Sequence, residues 1–468
     1  MPFDSYAFLL VFAPLAVGAF WVLPPGPPRL VWLTVAGYGF YATFDWRFLP
    51  LLAFVTLVTY AAGGAMAAGG PRRLLLAVGV GAGLVPLLAF KYWAPLMHAA
   101  GAAATAHGGI PRFLDVAFPV GLSFYTFQSL TYCLDVFHGR GPRARTLLHY
   151  APFVSFFPTL LSGPIARWSQ LGPALETQAR WLASDDAVDG IVFLVIGLAE
   201  KTLVADPLER HVVTPLFASD AAHGFFVAWV AALAYGSRLY FDFAGYSDMA
   251  VGLGRLLGVS LPRNFALPYQ ARHIGDFWER WHISLSSWFR DYLFFPVSRA
   301  LLRGTDRRHP EAVRAVSYVL TMGLIGLWHG PTAALVLWGL YHAALLIVFH
   351  ATRPKARSLW GRAQRPLTFL AVTFGWVLFR SADVAGAMQM WGAMAGLRGF
   401  ERFGQIADVV GLGPLVFLLA VVVWLQVGPD AWSARLPRTR LAAVTLGVVA
   451  AVALGMLAAP EPFVYFRF

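Results

Sequence analysis

The sequence predicts an all-α polytopic membrane protein of about 11–13 transmembrane or re-entrant helices, and three observations carry that expectation. Of 468 residues, 58% are hydrophobic and 13% charged, against about 45–50% apolar and about 25% charged in a soluble domain. The mean hydropathy is +0.62. The 36 basic and 24 acidic side chains leave long gaps: residues 48–71, 74–90, 315–352, 409–429 and 441–460 hold no Asp, Glu, Lys or Arg. Most of these gaps reach the ~18–25 residues that cross a hydrocarbon core about 30 Å thick.

Taken in order, apolar stretches fall near 7–24, 30–45, 48–67, 74–97, 117–137, 147–163, 188–206, 222–243, 315–329, 332–350, 366–380, 409–428 and 441–459. The first, in MPFDSYAFLLVFAPLAVGAFWVLPPGPPR, lacks a basic n-region and a small-residue cleavage site, and carries Asp4 before the apolar run. It reads as a retained span and not as a cleaved signal peptide. Within 147–163, the Pro and Gly of FFPTLLSGPI (156–165) favour a segment that dips in over one that crosses. The 315–352 stretch reads as a helix pair, because Gly330-Pro331 must end or break the first helix. No internal repeat of the kind found in many transporters is present, so residues 1–468 are expected to form one membrane domain.

A net charge of +12 raises nucleic acid as a partner, but the basic residues are not massed in an arm or stripe and exclude it. They fall instead in loops at Arg72–Arg73, Arg140–Arg145, Arg299–Arg314, Arg353–Arg365 and Arg435–Arg440. By the positive-inside rule these loops face the cytoplasm, and counting back through three spans puts the N-terminus outside. Only Lys91, Lys201 and Lys355 are lysines, and that skew carries no function. A single cysteine, Cys133, excludes an internal disulfide or a cysteine-cluster metal site and reads as an inert buried thiol.

The segment 261–297, LPRNFALPYQARHIGDFWERWHISLSSWFRDYLFFPV, is too charged to span and too aromatic for an ordinary loop. Projected as one helix, Asp276, Glu279, Arg280, Ser287, Arg290 and Asp291 form a stripe opposite Trp278, Trp281, His282, Leu285, Trp288 and Phe289. Such a helix fits the membrane interface or a protein groove, as an amphipathic or re-entrant segment. An amphipathic helix without chemistry explains the two faces but not a histidine on the apolar one.

Ionisable residues at membrane depth are expensive and therefore functional candidates. His98, His107, His138, His149, His211, His223 and His309 lie in or beside loops, where solvated or capping roles suffice. His329 lies inside the charge-free stretch, in GLIGLWHGPTAALVLWGLYHA, at the broken end of an apolar helix. Apolar burial disfavours imidazolium, so the ring is expected to stay neutral, the state a general base requires. The alternative is a ring that only satisfies a broken-helix carbonyl. His282, on the aromatic face, is the second candidate.

Other centres find little support. No G-x-S-x-G elbow, Walker loop or H-E-x-x-H helix is present, and the histidines lack metal-ligand spacing, so no metal is expected. Asp242 and Asp248 in YFDFAGYSDMA, with Tyr240 and Tyr246, form a polar cluster that can bind a polar substrate or, as economically, cap helices and bond between them.

At this point the motifs converge. RHIGDFWERWHISLSSWFRDYLFFPV (272–297) followed by GLWHG (326–330) resembles the paired signature of the membrane-bound O-acyltransferases, in the bacterial branch typified by the alginate O-acetyltransferases. Further resemblance runs in order through FDSYAFLLVFAPL (3–15), FKYW (90–93), FPVGLSFYTFQSLTYCLDVFHG (118–139), FFPTLLSGPIAR (156–167), YFDFAGYSDMAVGLGRLLG (240–258), FGWVLFRS (374–381) and the terminal PFVYFRF. The sequence departs from the family where a glycine- and asparagine-rich segment often follows the L-x-x-P turn; here it is PVSRALLRGTDRRHP.

The resemblance implies helices enclosing a tunnel in the bacterial inner membrane, with an acyl group arriving from the cytoplasmic side and leaving on an acceptor outside. It makes His329, in W-H-G, the catalytic base, and gives His282, in W-H-I-S-L, a supporting role. Trp278, Trp281 and Trp328 are the implied substrate contacts, joined as candidates by Asp242 and Asp248. Arg280, Arg290 and Asp276 hold the re-entrant segment or attract an anionic donor. No bound cofactor is expected: the donor would be acetyl-CoA or an acyl carrier, whose phosphates suit arginine-rich loops. The acceptor would be an exported polysaccharide, reached through a periplasmic or membrane-anchored acetyltransferase, with membrane lipid around the chain. The alternatives are a D-alanyl or peptidoglycan O-acyltransferase and, in another class, a transporter that couples protons through His282 and His329.

Overall fold

The computed structural model describes residues 1–93, 118–218, 224–305, 308–352, 359–401, 403–433, 439–458 and 461–463, and every regular element among them is helical. His98, His107, His223, the basic residues Arg353, Lys355, Arg357, Arg435 and Arg438, and the last five residues of PFVYFRF lie outside the described residues. Among the described residues, Pro27–Ala67, Arg72–Trp93, Pro310–His329 and Ala333–Thr352 are long and apolar enough to cross a bilayer. Gly404–Val410 and Leu412–Val427 qualify together but are bent by 98°, and Ala7–Val22 and Arg440–Gly455 are shorter apolar helices.

Two expected segments are broken, for local reasons. The 147–163 stretch is Leu147–Val154 followed by Phe157–Leu160, because Phe156 is extended ahead of Pro158. The 274–291 pattern, expected as one amphipathic helix, is corrected by the structure to Ile274–Arg280, Ile283–Phe289 and the π-turn Arg290–Phe294. Its sidedness survives the break, since Trp281, His282, Leu285, Trp288 and Phe289 are buried while Glu279 and Arg290 are exposed.

The helices group into two compact units, Met1–Leu198 with Tyr246–Arg263 and Val449–Leu457, and Ala199–Gly245 with Asn264–Val448 and Ala458–Phe468. The first unit is built on aromatic packing. Phe3 stacks on Tyr246 with centroids 4.6 Å apart, and Phe8, Phe40 and Phe157 complete the cluster. Arg29 is buried without a carboxylate partner among the described residues: it donates to the carbonyls of Leu23, Ala179 and Arg180 at 2.6–3.1 Å, with Phe20 and Trp21 against its guanidinium. Cys133 is fully buried against the Thr59 carbonyl, and Asp248 is buried in this unit.

The second unit holds both histidine motifs. Pro310–His329 and Ala333–Thr352 pack so closely that a Cβ on Gly326 would strike the Leu335 carbonyl, and one on Gly339 the Met322 carbonyl. Two bare backbones thus set the spacing of the pair, the way small residues do where apolar helices cannot gain by hydrophobicity alone.

Asp242 belongs to this unit and is committed to ions. Lys201 lies 2.7 Å from Asp206 and 3.0 Å from Asp242, and Arg238 lies 3.0 Å from Glu209 and 3.4 Å from Asp242. All five side chains are at most 7% exposed. Burying charge this deeply is tolerable only while the partners stay paired.

Two outcomes follow from this packing. Asp242→Ala leaves Lys201 and Arg238 short of a counter-charge and should cost ~3–5 kcal/mol, read as a lowered melting temperature of the detergent-purified protein. Gly339→Ala should separate the helix pair, lowering both melting temperature and activity, whereas Gly81→Ala, where a Cβ meets nothing within 4 Å, should leave both unchanged.

Candidate active site

The chain breaks at Trp281–His282 against its own periodicity. Trp281 is extended and His282 is left-handed, at φ 42° and ψ 55°, a conformation that costs a non-glycine residue about 1–2 kcal/mol. The preceding loop holds it there. Ile283 N–H donates to the Asn264 carbonyl at 2.8 Å and Ala266 N–H to the Arg280 carbonyl at 3.0 Å, so both sides of the break find backbone partners.

The same loop orients the histidine. Asn264 Oδ1 accepts from the Ser284 hydroxyl at 2.9 Å and faces the Ser284 N–H at 3.4 Å. A backbone N–H can only donate, which identifies this amide atom as the oxygen, and His282 Nδ1, 2.9 Å away, must carry the proton. Nε2 therefore holds the lone pair. His282 is 1% exposed, with Phe243 edge-on at 4.6 Å and Phe265 at 6.3 Å.

His329 is the last residue of its helix, as the Gly-Pro pair requires; Gly330 follows in an extended conformation. Its ring is packed by aromatic edges: Trp328 at 4.7 Å, Phe379 at 4.8 Å and Trp338 at 5.2 Å between centroids. From Trp338 the lattice continues to Trp376 at 5.9 Å and from there to Trp281 at 4.8 Å, beside His282 in the chain. One aromatic lattice within the second unit therefore joins His329, Trp328, Trp281 and, through Trp338, Trp278 at 5.9 Å.

The charged candidates sit differently. Asp276 accepts from Arg280 Nε at 2.5 Å and from the Arg272 N–H at 2.8 Å, while Arg280 also donates to the Ala266 carbonyl. Burial raises the Asp276 carboxyl, but the Arg272 N–H and the Arg280 guanidinium outweigh it and hold the group below the ordinary carboxylate range. Both residues brace the broken segment. Arg290 pairs with its neighbour Asp291 at 3.0 Å, is half exposed, and lines a cavity of 390 Å³ shared with Trp278, Ser287, Thr321 and His350. Asp242 is held in the ion cluster, and Asp248 belongs to the first unit. Among the described residues no three His, Cys, Asp or Glu side chains are grouped to hold a metal ion.

A third histidine enters the site that sequence reasoning passed over. His342 is fully buried, with Trp338 at 5.0 Å, Trp278 at 5.2 Å and Phe277 at 6.2 Å. Neither of its ring nitrogens has a hydrogen-bond partner among the described residues, nor do Trp278 Nε1, Trp338 Nε1 or Thr321 Oγ1. A buried polar group left unpaired costs ~1–3 kcal/mol. The available signal was position: His342 shares the charge-free stretch with His329, one helical turn beyond Trp338.

Known proteins match this chain along most of its length. The family model for membrane-bound O-acyltransferases matches residues 142–382. A probable alginate O-acetylase of Azotobacter vinelandii is 38% identical over 403 residues, covering 84% of this chain and 78% of that protein. The peptidoglycan O-acetyltransferase of Helicobacter pylori is 30% identical over 440 residues, covering 85% and 80%. The teichoic acid D-alanyltransferase of Bacillus subtilis is 30% identical over 305 residues, covering 64% and 74%.

The geometry around His282 gives a direct expectation. Asn264→Ala removes the acceptor that fixes the ring and should lower acyl transfer per folded molecule by ~10²-fold, the scale of a misplaced group, while the protein still purifies folded. Unchanged transfer would mean that the His282 orientation does not matter.

Proposed function

The chain belongs to the membrane-bound O-acyltransferase family, and on that premise we propose that it passes an acetyl group from a cytoplasmic thioester donor through the membrane toward an exported polysaccharide. Family membership makes it an O-acyltransferase rather than a proton-coupled transporter. The observation that carries the proposal is His329, a buried imidazole where its helix breaks inside the charge-free stretch 315–352, walled by Trp328, Trp338 and Phe379.

The mechanism follows from what such a ring can do. His329 takes the proton of the acceptor hydroxyl as its oxygen attacks the acyl carbonyl, and returns the proton to the departing thiolate. A positioned base of this kind contributes ~10²–10⁴-fold. The aromatic wall excludes the water that would otherwise consume the thioester. His282, held as the Nδ1–H tautomer by the Asn264 contact, assists proton transfer or orients the donor. Trp278, Trp281 and Trp328 shape the path, while Asp276 and Arg280 keep the broken segment in place.

For the donor, support comes from the 390 Å³ cavity lined by Trp278 and Arg290, and from the arginines at 299–314, which suit the phosphates of acetyl-CoA or an acyl carrier. The positive-inside pattern supports an inner-membrane protein with these loops in the cytoplasm and the N-terminus outside. For the acceptor, the 38% identity to an alginate O-acetylase favours a polysaccharide, with a separate periplasmic or membrane-anchored acetyltransferase receiving the group first. The second reading, O-acetylation of peptidoglycan, rests on the 30% identity over 85% of the chain to the Helicobacter pylori enzyme. It needs the same site and a different acceptor.

The test is the acetyl content of exported polysaccharide from a strain lacking the gene, complemented with wild type or with His329→Ala at matched membrane abundance. His329→Ala should abolish acetylation with polymer export intact. Full acetylation by this variant would remove His329 from the reaction, and acetyl loss confined to peptidoglycan would favour the second acceptor.

A further inference from the structure

Several tryptophans of the second unit satisfy their indoles within the protein. Trp229 donates its indole N–H to the Met394 carbonyl, Trp391 to the Phe374 carbonyl, and Trp376 to the Tyr269 hydroxyl, each at 3.0 Å. Trp278 and Trp338 have no such partner among the described residues, and both pack against His342, whose two ring nitrogens also lack one. These unmet donors and acceptors lie against one another. The three ring centroids lie 5.0–5.9 Å apart, and Trp338 is also in contact with His329.

This place has a way in. Trp278 lines the 390 Å³ cavity, where the unpartnered Thr321 hydroxyl also sits, and it is only partly buried as a residue. A Cβ on Gly375 would come within 3.2 Å of His342 Nε2, so the glycine leaves the ring its room.

We propose that the donor's thioester carbonyl enters from this cavity, displaces the Trp278 ring, and accepts hydrogen bonds from the Trp338 indole N–H and the His342 imidazole N–H beside His329. The proposal rests on the reading of the protein as a thioester-dependent O-acyltransferase. As the acceptor oxygen bonds to the carbonyl carbon, its proton passes to His329 and the carbonyl π pair collects on oxygen. Trp338 and His342 hold that oxyanion. Collapse re-forms the C=O bond and breaks the C–S bond, and the thiolate leaves with the proton from His329. Preorganised donors at this position act where charge develops, in a site without water to compete.

The test compares His342→Phe, His342→Gln and Trp338→Phe with His329→Ala in the complemented strain, reading polysaccharide O-acetylation per unit of membrane-inserted protein and the melting temperature after purification. His342→Phe keeps an aromatic ring and removes both nitrogens. It should lower acetylation ~10²-fold with a melting temperature equal to or above wild type, because a polar group without a protein partner has been removed. His342→Gln retains an N–H donor and should recover at least about ten-fold over His342→Phe. Near wild-type acetylation by His342→Phe overturns the proposal, as does an equal loss in both His342 variants accompanied by a falling melting temperature. If His342→Phe does not accumulate, Trp338→Phe decides: a loss of about ten-fold or more supports the carbonyl site, and none overturns it. Full acetylation by His329→Ala would instead remove the base beside the carbonyl, and failure of the wild type to restore acetylation would show that the acyltransfer reading itself has failed.

Discussion

Turning the chain through a left-handed residue at His282 costs the backbone about 1–2 kcal/mol, and hydrogen bonds that a straight helix would not need offset that cost. Asn264 and Ala266 take up the N–H and carbonyl groups freed at the break, and the Asn264 side chain fixes the ring. The break brings Trp281 against Trp376, and Trp376 against Trp338, so that the two histidine motifs share one aromatic lattice. Without it, Trp281 and His282 would follow the register of the preceding turn and the lattice would keep only its link through Trp278.

The fold was legible where physical chemistry is local. A charge-free stretch at 315–352 with Gly330-Pro331 inside it resolves as two helices that stop and restart around that pair. His329 was legible for the same reason. The left-handed turn was not, because no glycine, proline or asparagine stands at 281–282 and the 3.6-residue pattern runs through them. Its cause lies in loop residues 264–266, a tertiary contact that periodicity does not encode. Asp242 shows the same limit: its partner Arg238 is one helical turn away, but Lys201 comes from far back in the chain. His342 stood in plain view in the charge-free stretch and was passed over because only its packing against two unpaired indoles sets it apart.

The division of labour in this membrane protein is one of wall and exceptions. Apolar residues and stacked aromatic rings provide the water-excluding wall, and buried charges outside the histidine site are paired, as in the Lys201–Asp242–Arg238 cluster, or bonded to backbone carbonyls, as at Arg29. Beside His329, the Trp338 indole and the His342 ring are held in place by packing and have no hydrogen-bond partner among the described residues. Acyl transfer needs this contrast, since a thioester survives only where water is absent while its carbonyl must still meet a base and hydrogen-bond donors.

The most direct measurement is a cryo-electron microscopy structure of the full chain with a thioether analogue of acetyl-CoA, whose acetyl group cannot leave. The expected map places the acetyl carbonyl inside the aromatic lattice with its carbon ~3–3.5 Å from where a His329-bound hydroxyl would lie, a near-attack geometry. A map in which the analogue occupies the membrane-facing surface or another cavity, with the rings around His329 packed as they are here, would contradict acyl transfer at this histidine.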